Sequence, residues 1–150
     1  MPDDFVTIGP WRIAYDREAT EAAYSGITEG AEACDCKGCL NYVAQRDDVF
    51  PAEALELLAK LGIDRLKEAE AYEIAGMGDP RPYRGWFHLF GEILEGPGHT
   101  DSRQVSPTFE LWFETVLGLP KGDFGDSGCP VLQLEFTTWL PWLGRRKRTR

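Results

Sequence analysis

Three cysteines, Cys34, Cys36 and Cys39, fall within six residues in the sequence CDCKGC. A short CxxC turn can supply two of the four ligands of tetrahedral zinc, because its backbone amides can point at sulfur. Gly38 permits the tight turn, and Cys34 adds a third thiol from the neighbouring CxC. The chain is therefore predicted to fold around a metal-binding knuckle at residues 34–39, with structural zinc as the expected ion.

A fourth ligand is needed if protein groups alone are to enclose the ion. His88 is the main candidate, because it lies within the segment WFHLF at 86–90, which is predicted as a strand. His99, Cys129 and Asp35 are the alternatives. Four protein ligands would make the site structural, whereas a position left to water would suit hydrolysis.

Two other interpretations of the thiols stay open. A metal-dependent hydrolase would hold the metal with the three cysteines and His88, and would use Glu92, Glu110 or Glu114 as a base. A redox or copper-handling protein would instead use the soft CxC thiolates directly.

The order of the predicted elements indicates the fold class. Helices are predicted from Asp16 to near Gly30, over residues 40–46, and from Pro51 to a left-handed stop at Gly62. Strands are predicted by their β-branched and aromatic residues, with one or two at 5–15 and others at 73–74, 83–94, 108–116 and 131–140. Together these predict one α+β domain over residues 1–144, with N-terminal helices packed on one face of a mainly antiparallel sheet of about four to five strands.

Alternation along the later strands separates an apolar face from a face that carries acids and aromatic rings. Clustered carboxylates raise one another's pKa, and indole faces attract positive charge, so this acidic–aromatic face suits a cation or a basic peptide. The residues predicted to bind a partner there are Trp86, Glu92, Glu110, Trp112, Glu114 and Glu135, accompanied by His88, Phe90 and Gln133.

Charge is distributed unevenly along the chain. The last six residues, 145–150, contain five of the 16 basic side chains, which leaves 11 basic residues against all 25 acidic ones in the rest of the protein. An acidic body favours a basic protein or cationic ligand, and it disfavours nucleic acid except at the basic tail. The tail itself is predicted to be disordered.

The sequence also predicts a cytoplasmic protein with no membrane partner. No apolar run approaches the roughly 18 residues of a membrane helix, and the N-terminal residues MPDD are acidic where a signal peptide would be basic. Persistent disulfides are rare in that reducing compartment, which favours metal or redox chemistry for clustered cysteines.

Several short motifs carry a resemblance. The order CxCxxCxNY at 34–42, FP at 50–51, LGID at 61–64, EAYE at 70–73 and GWFH at 85–88 resembles a family of small uncharacterised bacterial proteins with a three-cysteine knuckle. The resemblance spans about residues 11–142. It implies a shared fold and a shared metal site, and it implies no reaction.

The function favoured at this point is a small zinc-knuckle binding or adaptor protein rather than an enzyme. Its acidic–aromatic face would contact a basic partner. One concrete version is a bacterial immunity or inhibitor protein whose acidic surface complements a basic toxin or nuclease.

Overall fold

The computed structural model describes residues 4–97, 102–116, 120, 122–126 and 128–143. The predicted tail at 145–150 and His99 lie outside these residues. The fold is α+β, as predicted, and the described residues form four helices and seven strands in one antiparallel sheet. In chain order the elements are β1 (Asp4–Ile8), β2 (Trp11–Tyr15), α1 (Arg17–Ser25), a 3₁₀ turn (Ala31–Ala33), α2 (Lys37–Val49), α3 (Ala52–Leu61), β3 (Glu70–Glu73), β4 (Arg81–Glu95), β5 (Arg103–Ser106), β6 (Phe109–Thr115), α4 (Asp123–Asp126) and β7 (Val131–Leu140).

The prediction of four to five strands was wrong. The segment at 5–15 forms a complete hairpin, β1 and β2, with Gly9 at φ +54° in its turn. A further short strand, β5, pairs with β6 in a region where no strand was predicted. Strands therefore precede as well as follow the helices, because the N-terminal hairpin joins the same sheet through β2 and β4.

Strand β4 is the centre of the sheet, whose order is β1-β2-β4-β7-β6-β5. One edge of β4 pairs with β7, while β2 and β3 pair with different halves of the other edge. Side chains of α1 fill the gap between β2 and β3. The Tyr24 hydroxyl donates to the His88 carbonyl at 2.6 Å and accepts from its N–H at 3.1 Å, and the Phe90 N–H donates to the Thr20 hydroxyl at 3.0 Å.

The helix ends follow local sequence signals. The Asp16 side chain caps α1 by accepting from the Ala19 N–H at 3.0 Å, although the helix ends at Ser25, earlier than predicted. Helix α3 ends as predicted at Gly62, which has φ +83°. The Ile63 N–H then donates to the Leu58 carbonyl at 2.9 Å, closing the predicted Schellman ending.

Helices α2 and α3 cover one face of the sheet, called here the helix face. Phe50, at the end of α2, packs against Phe87, Phe109 and Phe136 with ring centroids 5.1–6.0 Å apart. This part of the prediction is confirmed, whereas α1 lies along the edge of β4. Short helix α4 covers part of the opposite face through Phe124, whose ring lies 4.8 Å from that of Phe90.

None of the helices within the described part of the chain combines the length and apolar character needed to cross a membrane.

Candidate functional site

The three thiols predicted to bind metal do converge, and they are called here the thiol cluster. Cys34 follows the 3₁₀ turn, Cys36 is the N-cap of α2 and Cys39 lies in its first turn. Their sulfur atoms all lie within 4.8 Å of one another and form no disulfide. Tetrahedral zinc with Zn–S bonds of about 2.3 Å would place its sulfurs about 3.8 Å apart, so this cluster could hold a metal ion.

The helix start places two of the sulfurs in different environments. The Cys39 N–H donates to the Cys36 sulfur at 3.4 Å, and this bond is the main reason that the pKa of Cys36 is lowered. Cys39 is buried, with its sulfur 3.8 Å from the Ala71 carbonyl oxygen in β3, and burial raises its pKa. Cys34 and Cys36 are exposed. The cluster thus has one sulfur fixed against the sheet and two facing solvent.

The residues that follow the cysteines anchor the knuckle to the sheet. The Tyr83 hydroxyl donates to the Gly38 carbonyl at 2.9 Å and accepts from the Asn41 amide at 3.2 Å. The same Asn41 accepts from the Leu143 N–H at 2.8 Å, beyond the end of β7. Tyr42 is buried beside Tyr83, with ring centroids 6.0 Å apart. The NY pair in CxCxxCxNY therefore has a structural role.

A buried carboxylate fixes the segment that leads into the cluster. Glu68 is 1% exposed, and its Oε1 accepts from the Ala31 N–H at 3.0 Å and from Arg46 at 3.2 Å. Arg46 also bonds Glu32 at 2.9 Å. Any side chain at Gly30 would overlap Glu68 and the Leu66 carbonyl. These contacts hold the 3₁₀ turn immediately before Cys34, and the sequence analysis did not identify them.

His88 lies away from the thiol cluster. Its ring is on the face of β4 opposite the helices, with Nε2 3.3 Å from the Gln133 side-chain oxygen. Tyr83, which contacts the knuckle, is five residues earlier on the strand and therefore points to the other face. Cys129 and Asp35 do not join the cluster either, among the residues that the structure describes. The predicted role of His88 as fourth ligand therefore has no support in this geometry, and neither has a hydrolase built on it.

The face opposite the helices contains a cleft of about 530 Å³. The strand register places Trp86, Glu135 and Trp112 side by side, and likewise His88, Gln133 and Glu114. Tyr72 and Trp86 stand edge to face at the mouth, with centroids 6.1 Å apart. The lining residues are Ala69, Glu70, Tyr72, Arg84, Trp86, His88, Glu114, Val116, Gln133 and Glu135.

Two carboxyl groups inside the cleft have opposite pKa shifts. Burial and a hydrogen bond to Glu135 raise the pKa of Glu114. Burial alone would also raise the pKa of Glu135, but hydrogen bonds from Glu114, Arg84 and Gln133 lower it. The Arg84 contact is 3.0 Å and the Gln133 contact is 2.9 Å. As pH falls, Glu114 therefore takes up a proton before Glu135 does.

Arg84 is the most important cleft residue that the sequence analysis missed. Its guanidinium pairs with Glu135 and lies 5.1 Å from the centroid of the Trp112 ring. The most buried carboxylate of the cleft, Glu135, is therefore already paired with a cation from the same face, Arg84. The alternation that placed Trp86 on this face also places Arg84 there, so the signal was present. Glu70 and Tyr72 were missed because the prediction did not include β3 in this face.

The six predicted partner-binding residues do not all line the cleft. Trp86, Glu114 and Glu135 line the cleft, although Glu135 is only 3% exposed. Trp112 was expected to be exposed, but it is buried and donates to Glu114 at 3.1 Å. Glu92 is exposed opposite Ala14, away from the cleft lining, and Glu110 accepts from the Ser102 hydroxyl at 2.7 Å.

Comparisons with known proteins do not assign this chain to a family. No family model, curated protein or solved structure matches the chain. Its class is therefore defined by its own features, an antiparallel α+β fold with a three-thiol cluster on one side of the sheet and a polar cleft on the other.

Proposed function

We propose that this protein is a zinc-knuckle binding module whose cleft receives a cationic side chain of a basic protein. The observation that carries the proposal is the cleft, whose lining combines the rings of Trp86 and Tyr72 with the carboxylates of Glu70 and Glu114. Aromatic faces combined with carboxylates attract a cation more strongly than either group does alone, because the ring quadrupole and the negative charge act together.

The outer half of the cleft is the part suited to an incoming cation. Arg84 already pairs with Glu135, so the deepest negative charge is compensated. Glu70 and Tyr72 at the mouth are exposed, and Glu114 is partly buried on β6, on the far side of Glu135 from Glu70. A lysine or arginine side chain could pair with Glu70 while its stem packs on Trp86.

The charge of the chain supports a basic protein as the source of this side chain. A formal net charge of −9, which becomes more negative when the tail is left aside, would speed association with a positively charged surface. An immunity or inhibitor protein acting on a basic toxin or nuclease remains the concrete form of this proposal.

Zinc has a structural role in the proposal. The thiol cluster connects the start of α2 to β3, since Cys39 touches Ala71 and the helix continues into Asn41 and Tyr42. An ion there would hold the helix face together on the side of the sheet opposite the cleft. Zinc would thereby stabilise the scaffold without touching the partner.

Removing one carboxylate at the mouth tests the proposed site. Glu70→Gln is expected to weaken binding of an octalysine peptide about tenfold at about 0.15 M salt, because it removes one charge-assisted hydrogen bond. Titration calorimetry provides the measurement. Glu92→Gln is the matched control, because it removes the same charge from the exposed part of β4 outside the cleft lining. Equal losses in the two variants would mean general attraction to an acidic surface and would reject the site.

The raised pKa of Glu114 predicts how stability depends on pH. Because the raised pKa of Glu114 makes the folded protein bind this proton more tightly than the unfolded chain, unfolding free energy should fall as pH rises from 4.5 through the raised value. The lowered pKa of Glu135 acts in the opposite sense and matters only below 4.5. Glu114→Gln resembles the protonated carboxyl. It should therefore remove the fall in unfolding free energy with rising pH, as measured by urea unfolding at pH 4–8. A slope unchanged in Glu114→Gln but lost in Glu92→Gln would contradict this assignment.

A further inference from the structure

The thiol cluster supplies three ligands, and no other group in the described part of the chain completes the coordination. Among residues 4–97, 102–116, 120, 122–126 and 128–143, no histidine, carboxylate or further cysteine joins the three sulfurs. Most structural zinc sites have four protein ligands, whereas sites with three keep an open position. As far as the described residues extend, the cluster has the geometry of an open site.

A carboxylate that approaches the cluster is already engaged. Glu73 lies against the turn between the cysteines, with Oε1 2.9 Å from the position that a Cβ on Gly38 would take. Arg81 binds its other oxygen at 3.2 Å. Glu73 is thus held beside the helix start and outside the cluster, so it leaves the fourth position open.

The open side faces solvent. Cys39 is the buried sulfur and lies against the sheet at Ala71, whereas Cys34 and Cys36 are both exposed. An ion seated on the three sulfurs would therefore be accessible from outside, where a small ligand or a transfer partner could reach it. Soft thiolate ligands without nitrogen or oxygen select soft ions, of which Cu(I) is the common biological example.

We infer that Cys34, Cys36 and Cys39 form an exchangeable three-sulfur site that binds Cu(I) in three-coordinate geometry. Binding replaces the thiol protons by bonds from the three sulfurs to one Cu(I) ion, and the copper does not change its oxidation state. The inference rests on the metal site of the proposed function, but it does not depend on zinc being the ion bound in the cell. Zinc in the same site would complete its coordination with water.

The test compares the zinc and copper forms of the full, reduced chain under anaerobic conditions. One equivalent of Cu(I), delivered as its bicinchoninate complex, should displace one equivalent of bound zinc, which a chromogenic indicator detects. X-ray absorption should count three sulfurs alone around copper. Around zinc it should count three sulfurs and one oxygen, without the multiple-scattering signature of imidazole.

Single substitutions identify the ligands, and they distinguish failure of the three-sulfur site from failure of metal binding altogether. Cys34→Ser, Cys36→Ser and Cys39→Ser should each weaken Cu(I) binding at least 100-fold, while Cys129→Ser should change it less than twofold. Glu73→Gln should leave the zinc spectrum unchanged. Four sulfurs, an imidazole signature, or loss of the oxygen in Glu73→Gln would overturn the three-sulfur site while leaving a closed zinc knuckle intact. Binding of neither metal would overturn both proposals at the thiol cluster, and the cleft proposal would stand by itself.

Discussion

Cys39→Ser is expected to abolish zinc binding and to remove all zinc-dependent stability. Cys39 is the buried ligand, and its sulfur joins the start of α2 to β3. A ligand that binds only the folded state stabilises it by about 4 kcal/mol when its free concentration is a thousand times Kd. The wild-type protein should therefore gain about that much unfolding free energy in zinc relative to EDTA, and Cys39→Ser should gain none.

The measurement is urea unfolding of each protein in saturating zinc and in EDTA, together with metal content by elemental mass spectrometry. Taking the difference between the two conditions cancels any cost of the serine itself. Cys129→Ser is the matched control, since Cys129 is an exposed cysteine outside the cluster. If Cys39→Ser kept the zinc-dependent increment, Cys39 would not be a ligand.

Glu68→Ala is expected to destabilise the protein by about 3–5 kcal/mol, the usual cost of removing one partner from a buried ion pair. The variant leaves the Arg46 guanidinium, whose side chain is only 13% exposed, without its buried partner, and it leaves the Ala31 N–H without this acceptor. Because these contacts hold the turn before Cys34, zinc affinity should also fall, by about tenfold.

The control for this prediction uses the same arginine. Glu32 also pairs with Arg46, but its side chain is 43% exposed, so Glu32→Ala should cost less than about 1 kcal/mol. Glu68→Gln separates charge from hydrogen bonding, because the amide oxygen can still accept from Ala31. Urea unfolding of the three variants in EDTA gives the comparison. Equal effects of Glu32→Ala and Glu68→Ala would show that burial of Glu68 does not determine its contribution.

The two proposed sites lie on opposite sides of one sheet, and this separation has a consequence for experiments. Strand β4 contacts the knuckle through Tyr83 on the helix face and lines the cleft through Arg84, Trp86 and His88 on the other. Losing the metal should therefore affect the cleft only through the stability of the sheet. Variants at Glu70 or Glu114 should leave metal content unchanged.

The sequence by itself was sufficient for features that depend on neighbouring residues. Three thiols within six residues can converge around a single turn, and the stop at Gly62 needs only the left-handed backbone that glycine adopts readily. The alternation of β4, β6 and β7 was also predictable, because successive side chains on a strand point to opposite faces. It placed Trp86 and Glu135 on the same face correctly, although only the structure shows that they are direct neighbours.

The failed expectation for His88 was already in conflict with that alternation. Alternation puts His88 on the face opposite the helices, whereas the metal ligand prediction required its ring to reach a knuckle carried by the helices. A rigid strand cannot direct one side chain to both faces of the sheet, and the His88 ring lies beside Gln133. The sequence alone could therefore have excluded His88 as a metal ligand, although it could not show which residues His88 contacts.

Only the tertiary structure decided which distant residues meet. The pairing of the N-terminal hairpin with β4 and the pairing of β3 with β4 next to the cleft connect segments many residues apart. The same holds for Arg84 opposite Glu135 and Arg46 against Glu68. Local propensity and periodicity determine how a segment folds and which face its side chains occupy. Strand order and the pairing of buried charges depend on long-range packing, which no short stretch of sequence encodes.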